Sequence, residues 1–421
     1  MKSYTENGGE PMEDKRQKWI SIAIGLFLCF PSLNSAIGSI IKLFFGSQFK
    51  LGTYVVYVIY ALVMLYALFR NSHKISLSTL VITVFMIVSF ILSVALNQIS
   101  SYVWTSFGDI VGNPMYLFLF YGFLGLYLAQ YLKNMDLLCS YLDRFALATI
   151  VLALVQYIVA LQRDTSPQYM VFSYNLLFPT AYLSLRCISD FRFKRLIGMV
   201  IGAGLIFIAG CRGALVCYLS AILLYILFAG RISRNRKVVF ALVMVPSIVL
   251  ISIYWNELLT ALIRLFDSIG VDSRTLTMLS DQSFFDDSGR SAIQQTIIGN
   301  IGILPKGLYY DRIVANGSYA HNLFLELLLE YGILIGGLII AWLCYHMVKS
   351  AIAVRKDPVA SVVLYALIAS GFMRLMFSGS YLLNEPGFWL LIGLMLNSCN
   401  SRCVKESNRL GELCFKELKE G

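Results

Sequence analysis

Three stretches of this sequence hold residue types able to act on a charged substrate. The first is Gly210-Cys211-Arg212-Gly213, an arginine between two glycines at the junction of two apolar runs. Glycine lets the backbone turn tightly and approach a ligand. An arginine at membrane depth costs about 2.5–3.5 kcal/mol on insertion scales, so it takes a partner or snorkels to lipid phosphates. The second is Asp286-Asp287-Ser288-Gly289-Arg290, ahead of Ser291 to Asn300. Asp287 or Ser288 suits a helix N-cap, and the residues after it suit a short helix. Free N–H groups and the positive end of a helix dipole beside an arginine make an anion site; an ordinary cap with a solvated arginine has the same pattern. The third is Asn316-Gly317-Ser318-Tyr319-Ala320-His321-Asn322, running into the apolar stretch that holds Glu326 and Glu330. These two carboxylates share a helix face and lie roughly 7 and 13 Å beyond His321 at 1.5 Å per residue. Carboxylates at that depth face a polar cavity or a basic partner. Arg374, in the next apolar run, is the expected partner of Glu330 in a buried pair holding two helices together. A catalytic role and an interfacial capping role suit His321 equally at this point.

Taken together, the three stretches describe a diphosphate site with a general base beside it. The rigid fork of arginine suits phosphate oxygens, so Arg212 and Arg290 are the candidate diphosphate-binding residues. Such cations stabilise charge developing on a leaving group without a metal. Imidazole titrates near neutrality, so His321 is the candidate base. Asn322, Glu326, Glu330 and Arg374 are the candidate supporting residues.

Missing chemistry narrows the field. Only three histidines occur, and His73 and His346 fall at the opposite ends of their runs from His321, so no histidine-rich metal site is expected. No GxxxxGK[ST] loop is present to drive transport with ATP. Between the apolar runs on the basic side, the connections are too short for a nucleotide-sugar-binding domain. An enzyme of this design works at the outer face on a substrate already activated, with neither cofactor nor metal. The nine cysteines form no CxxC pair and read as small packing residues.

The elements that must position these groups are membrane helices. Hydrophobic residues make up 58% of the 421, charged residues only 14%, and the mean hydropathy is +0.72. A water-facing surface cannot be covered by so few charges. The net charge of +10 therefore reports orientation in a bilayer and not a nucleic-acid partner. Apolar stretches of spanning length begin near Trp19, Leu51, Leu77, Pro114, Phe145, Met170, Leu196, Gly213, Val238, His321, Val359 and Pro386. The fold class is thus all-α: a polytopic integral membrane protein of about twelve transmembrane helices with one large extracytoplasmic loop carrying short helices. The divisions are an N-terminal cytoplasmic tail over 1–18, spans over 19–254, the loop over 255–320, spans over 321–398, and a cytoplasmic tail over 399–421. Most of the 34 basic residues, among them Lys15, Arg16, Lys18, Arg192, Lys194, Arg195, Arg231 and Arg234, then fall on the cytoplasmic side. Tyr254 to Asp267 has the pattern of an amphipathic helix that lies on the outer interface or packs under the loop and forms the acceptor groove.

Several of these pieces together resemble the O-antigen ligase and O-antigen polymerase superfamily of bacterial membrane glycosyltransferases. They are Ile208 to Leu215 around Arg212, Ser288-Gly289-Arg290, the Gly299 to Gly307 stretch with Pro305, and Ala320-His321-Asn322-Leu323-Phe324-Leu325-Glu326 followed by Tyr331-Gly332-Ile333. Detailed similarity covers residues 195–345. The resemblance implies a metal-independent transferase in the bacterial inner membrane, using undecaprenyl-diphosphate-linked glycans. Arg212 and Arg290 would hold the donor diphosphate, and His321 would take the proton of the attacking sugar hydroxyl. Lys306-Gly307-Leu308-Tyr309-Tyr310 departs from the usual GxG-like turn, and Cys211 stands where a small polar residue is usual. The activity expected is polymerisation of surface polysaccharide repeat units, O-antigen or capsule. Transfer of a finished glycan to a lipid or protein acceptor by a ligase, or lipid-linked oligosaccharide flipping, are the alternatives. Partners would be lipid-linked oligosaccharides, membrane lipids, and a chain-length regulator and flippase of the same pathway.

Overall fold

Long apolar sequences without a polar stripe form helices here because a helix satisfies every backbone polar group internally. In this computed structural model the structure is described for residues 12–45, 51–71, 75–96, 114–161, 169–230, 255–269, 273–281, 289–383 and 385–397, and these contain helices and no strand. The helices are α1 (Met12–Phe45), α2 (Leu51–Asn71), α3 (Leu77–Leu96), and α4, which runs Pro114–Leu117, then a π-helical turn Phe118–Phe123, then Leu124–Tyr131. Next come α5 (Met135–Leu161), α6 (Tyr169–Ser189), α7 (Phe193–Ala209) and α8 (Arg212–Phe228). Shorter helices follow: α9 (Trp255–Ile269), α10 (Arg274–Ser280), α11 (Arg290–Asn300) and α12 (Tyr310–Val314). The last three are α13 (Leu323–Val354), α14 and α15 (Pro386–Asn397). Helix α14 runs Pro358–Leu367, a π-helical turn Ile368–Met373, and Arg374–Phe377.

Five of these segments are long and apolar enough to cross a membrane: Lys15–Ile41, Leu77–Leu96, Met135–Leu161, Leu323–Val354 and Pro358–Phe377. Their outward faces agree with a lipid surround. On α3, Val81, Val84, Val88 and Ile91 are exposed, while Thr79, Thr83, Met86 and Phe90 are buried. This is therefore an all-helical membrane protein. Every anticipated span except the one near Val238 coincides with a described helix. Val238, His73 and the 399–421 tail lie outside the described residues. Inside, α1 packs chiefly along α5, and α6 sits centrally against α1, α5, α7, α8 and α14.

The segment anticipated as a loop carrying short helices holds α9, α10, α11 and α12 among its described residues. The amphipathic helix expected over Tyr254 to Asp267 is α9, with Leu259, Leu262 and Ile263 half-buried. Helix α11 begins at Arg290 with Gly289 at the cap position, at φ 77°. The cap is therefore not Asp287 or Ser288, which lie outside the described residues. Gly289 takes the cap because the chain enters the helix through the left-handed region, which a β-carbon disfavours.

Helix α13 breaks in its middle. Gly332 has φ 74° and ψ 167° inside it, and a β-carbon there would lie 2.3 Å from the Ile303 carbonyl oxygen. The segment 302–307 fills the break. Lys306 N–H and Gly307 N–H both donate to the Glu330 carbonyl at 3.0 Å, and Ile333 N–H donates to the Gly302 carbonyl at 3.0 Å. Backbone groups released by the break thus find partners in a neighbouring loop, the condition for irregular backbone at membrane depth. Tyr331-Gly332 is the sequence signature of this junction.

Candidate active site

The turn between α7 and α8 places Arg212. Gly210 ends α7 in the left-handed region (φ 75°), and Cys211 is the extended cap of α8. A β-carbon on Gly210 would lie 2.7 Å from the β-carbon of Arg274, so only glycine lets α10 dock against the turn. Thr275 completes the docking by donating its hydroxyl to the Phe207 carbonyl. Arg212 is the first residue of α8 and is half-buried. Arg274 lays its guanidinium over the Tyr169 ring, 3.5 Å from the centroid, a cation–π contact. Arg274 escaped the sequence reading because nothing around it in the chain marks it; the docking of α10 brings it to the turn.

The hub of the site is the segment after α14, which the sequence reading passed over. Arg290 donates from Nη1 to the Phe377 carbonyl at 3.1 Å. Gly213, beside Arg212, faces the Phe377 side chain, with a β-carbon there 3.3 Å from the Phe377 β-carbon. Tyr319 and Ser378 share a hydroxyl–hydroxyl hydrogen bond of 3.2 Å, and the Tyr319 ring stacks on His321 with centroids 4.0 Å apart. The starts of α8 and α11 and the start of α13 therefore meet at Phe377-Ser378. Arg290 and His321 are brought together, and the backbone of the Arg212 turn joins them.

His321 is held in a strained conformation. Its φ is 53°, in the left-handed region that few non-glycine residues occupy. Two side chains bracket it. Asp311, fully buried, accepts from Ala320 N–H at 3.1 Å and from its own neighbour Arg312 through N–H and Nη1. Asn322 caps α13 by accepting from Phe324 N–H at 2.9 Å and Leu325 N–H at 3.2 Å. Asn322 is thus the cap of α13. The His321 Nδ1 atom is buried and has no hydrogen-bond partner among the described residues. Burial, and then the positive charge of Arg290, push its pKa down from 6.5 to about 4. The imidazole is consequently neutral near pH 7, but it is a weaker base than the histidine titrating near neutrality that the sequence suggested.

The expected Glu330–Arg374 pair is not formed. One Glu330 carboxylate oxygen accepts from Tyr309 N–H at 2.8 Å and the other from the Tyr381 hydroxyl at 2.6 Å. Arg374 pairs instead with Glu385, 3.0 Å away. The break at Gly332 folds the 302–310 segment onto Glu330, and the π-helical turn at Ile368–Met373 resets the face on which Arg374 emerges. Such turns insert a residue into the helix and change the phase of everything after them. Glu326 accepts from the Ser380 hydroxyl in a short hydrogen bond. Glu326 and Glu330 are therefore anchors of the 302–310 and 378–385 segments. Glu385 is buried, and burial pushes its carboxyl up to about 7 against the opposing charge of Arg374. Ser378-Gly379-Ser380 and the Glu385-Pro386 pair were the available signals, a polar interruption between two apolar runs.

Beside this cluster lies a cavity of about 660 Å³, within the range usual for small-ligand sites. Phe30, Asn34 and Ser35 of α1, Tyr57 of α2 and Tyr169, Met170, Val171, Tyr174 and Asn175 of α6 form one side. Tyr319, Arg374, Ser378, Gly379, Leu383 and Glu385 form the other. Tyr319 is the link, since the same side chain lines the cavity and stacks on His321. Among the described residues no three His, Cys, Asp or Glu side chains are placed to hold a metal ion. The described cysteines are free, and Cys29, Cys139, Cys187, Cys211 and Cys217 are buried.

Comparison with protein-family models, with curated proteins and with solved structures finds no match to this chain.

Proposed function

We propose that the protein is a membrane glycosyltransferase that polymerises surface polysaccharide repeat units, taking glycan from an undecaprenyl-diphosphate carrier. The observation that carries this reading is the buried His321 Nδ1, without a hydrogen-bond partner among the described residues, close enough to Arg290 to feel its charge. In the reaction, a hydroxyl of the acceptor sugar attacks the anomeric carbon of the donor glycan. The new bond is carbon to acceptor oxygen, and the bond from that carbon to the phosphate oxygen breaks. Undecaprenyl diphosphate leaves with the electron pair, and His321 takes the hydroxyl proton. Arg290 and Arg212 offset the charge that develops on the leaving diphosphate.

In this reading about twelve helices cross the bacterial inner membrane, with both termini cytoplasmic and α9–α12 on the outer side. The basic residues Arg186, Arg192, Lys194 and Arg195, at the ends of α6 and α7 remote from His321, support that orientation. A chain-length regulator and a flippase of the same pathway would supply and limit the substrate. The second reading is a ligase, favoured by the neutral histidine, which in the resembled superfamily belongs more firmly to ligases. A deletion strain separates the two. Loss of a polymerase leaves single-repeat products, whereas loss of a ligase leaves long chains on the carrier lipid. Carrier-linked products of unaltered length and attachment would contradict both.

A further inference from the structure

The cavity beside His321 combines aromatic faces with polar groups that cancel in charge. Phe30, Tyr57, Tyr169, Tyr174 and Tyr319 are among its lining residues. Its charged wall residues, Arg374 and Glu385, are paired to each other at 3.0 Å, so they add no net charge once Glu385 is ionised. Arg374 is also stacked on Tyr174, its guanidinium carbon 5.1 Å from the ring centroid, which fixes it in the wall. Asn34 donates from Nδ2 to the Tyr57 hydroxyl at 3.3 Å, while its Oδ1 is buried and has no partner among the described residues. Ser35, Asn175 and Ser378 also line the cavity, so amide and hydroxyl groups stand among the aromatic residues, a mixture that suits a ligand rich in hydroxyls.

We propose that this cavity binds a neutral saccharide, the acceptor end of the growing glycan, and not the diphosphate of the donor. The inference rests on the transferase reading for the word acceptor, but the binding claim stands on the wall itself. Aromatic rings pack on the apolar C–H faces of a pyranose, and amide and ion-paired groups exchange hydrogen bonds with its hydroxyls. A diphosphate would meet the Glu385 carboxylate and an arginine already paired with it here, whereas Arg290 and the Arg212 turn meet at Phe377, which does not line the cavity. Binding in the cavity therefore brings a sugar hydroxyl to the Tyr319 side of His321.

The test uses the full-length protein in detergent and saturation-transfer NMR. The probes are methyl glycosides of glucose, galactose, mannose and N-acetylglucosamine, with inorganic pyrophosphate as competitor. The expected result is transfer to at least one glycoside, unaffected by pyrophosphate. It should fall about five-fold or more in Asn34→Leu, as loss of a hydrogen bond requires, and in Val171→Trp, which narrows the cavity. Val171 is 48% exposed, so the larger ring tests access without disturbing the packed interior. Both variants are checked for unchanged elution and thermal midpoint. Should Asn34→Leu fail that check, Val171→Trp decides alone. Absence of transfer from all four glycosides, displacement by pyrophosphate, or undiminished binding in the folded variants would overturn the inference. Glycoside binding without glycan elongation would instead sink the transferase reading and leave the cavity assignment standing. Normal elongation by a Val171→Trp protein that binds no glycoside would do the reverse.

Discussion

At one end of α6 and α7, Arg195 is almost fully buried and gives its guanidinium to Asp143 at 2.6 Å and Asp190 at 2.8 Å. Arg186 lies 3.8 Å from the same Asp143, which also accepts from the Tyr182 hydroxyl at 3.0 Å. Roughly 20 Å away along α7, arginines are handled differently. Arg290 gives its Nη1 to a backbone carbonyl, and Arg274 rests on the face of a tyrosine. A neutral acceptor or a ring orients a guanidinium but does not cancel its charge. The first end spends arginine on holding helices together; at the second Arg312 and Arg374 are ion-paired as well, but Arg274 and Arg290 have no carboxylate partner among the described residues. That contrast, more than the number of arginines, marks the second end as the site.

Substitutions should separate the two ends. The largest effect is expected from Arg195→Ala, which breaks the closest ion pair on Asp143 and should lower stability by about 3–5 kcal/mol, read as thermal unfolding in detergent. A variant as stable as the parent would erase the distinction. Next, Arg290→Ala should cut glycan elongation about 100-fold, near 3 kcal/mol for lost charged hydrogen bonds, with membrane yield and unfolding midpoint unchanged. Normal glycan ladders from that variant would remove the diphosphate assignment. Asn322→Ala removes only the cap of α13 and should cost about 1 kcal/mol, visible as a small fall in thermal midpoint.

The smallest effect sharpens the electrostatics. NMR titration should show His321 changing protonation near pH 4, and Arg290→Gln should move that midpoint upward by removing the second of its two causes. A midpoint that stays put would mean that Arg290 does not act on the imidazole. The folded state resists protonating His321 while the unfolded chain accepts a proton near pH 6.5, so stability contributed here falls as pH drops from 6.5 toward 4.

Helices were legible because apolar length is a local property, and α1, α3, α13 and α14 follow from it directly. His321 and Arg290 were legible for a related reason: each stands at the start of a helix, where polar residues punctuate apolar runs. The partner of Arg374 was not. Its pairing depends on the π-helical turn at Ile368–Met373 and on the chain reversal that returns Glu385 to it, and neither shows in spacing along the sequence. Glu330 was misassigned for the complementary reason. The break at Gly332 lets the 302–310 segment reach it first. Positive charge was read at Arg212 and missed at Arg274, since only the docking of α10 on Gly210 brings the second to the first.

The most direct measurement follows a lipid-linked repeat unit given to the purified protein in detergent, with no other enzyme and no added nucleotide. Release of undecaprenyl diphosphate is quantified against glycan length for the parent and for His321→Ala. The account predicts one carrier released per bond formed in the parent, and loss of both signals together in the variant at unchanged thermal midpoint. Equal release from the two proteins, or no conversion by the parent despite bound substrate, would contradict it.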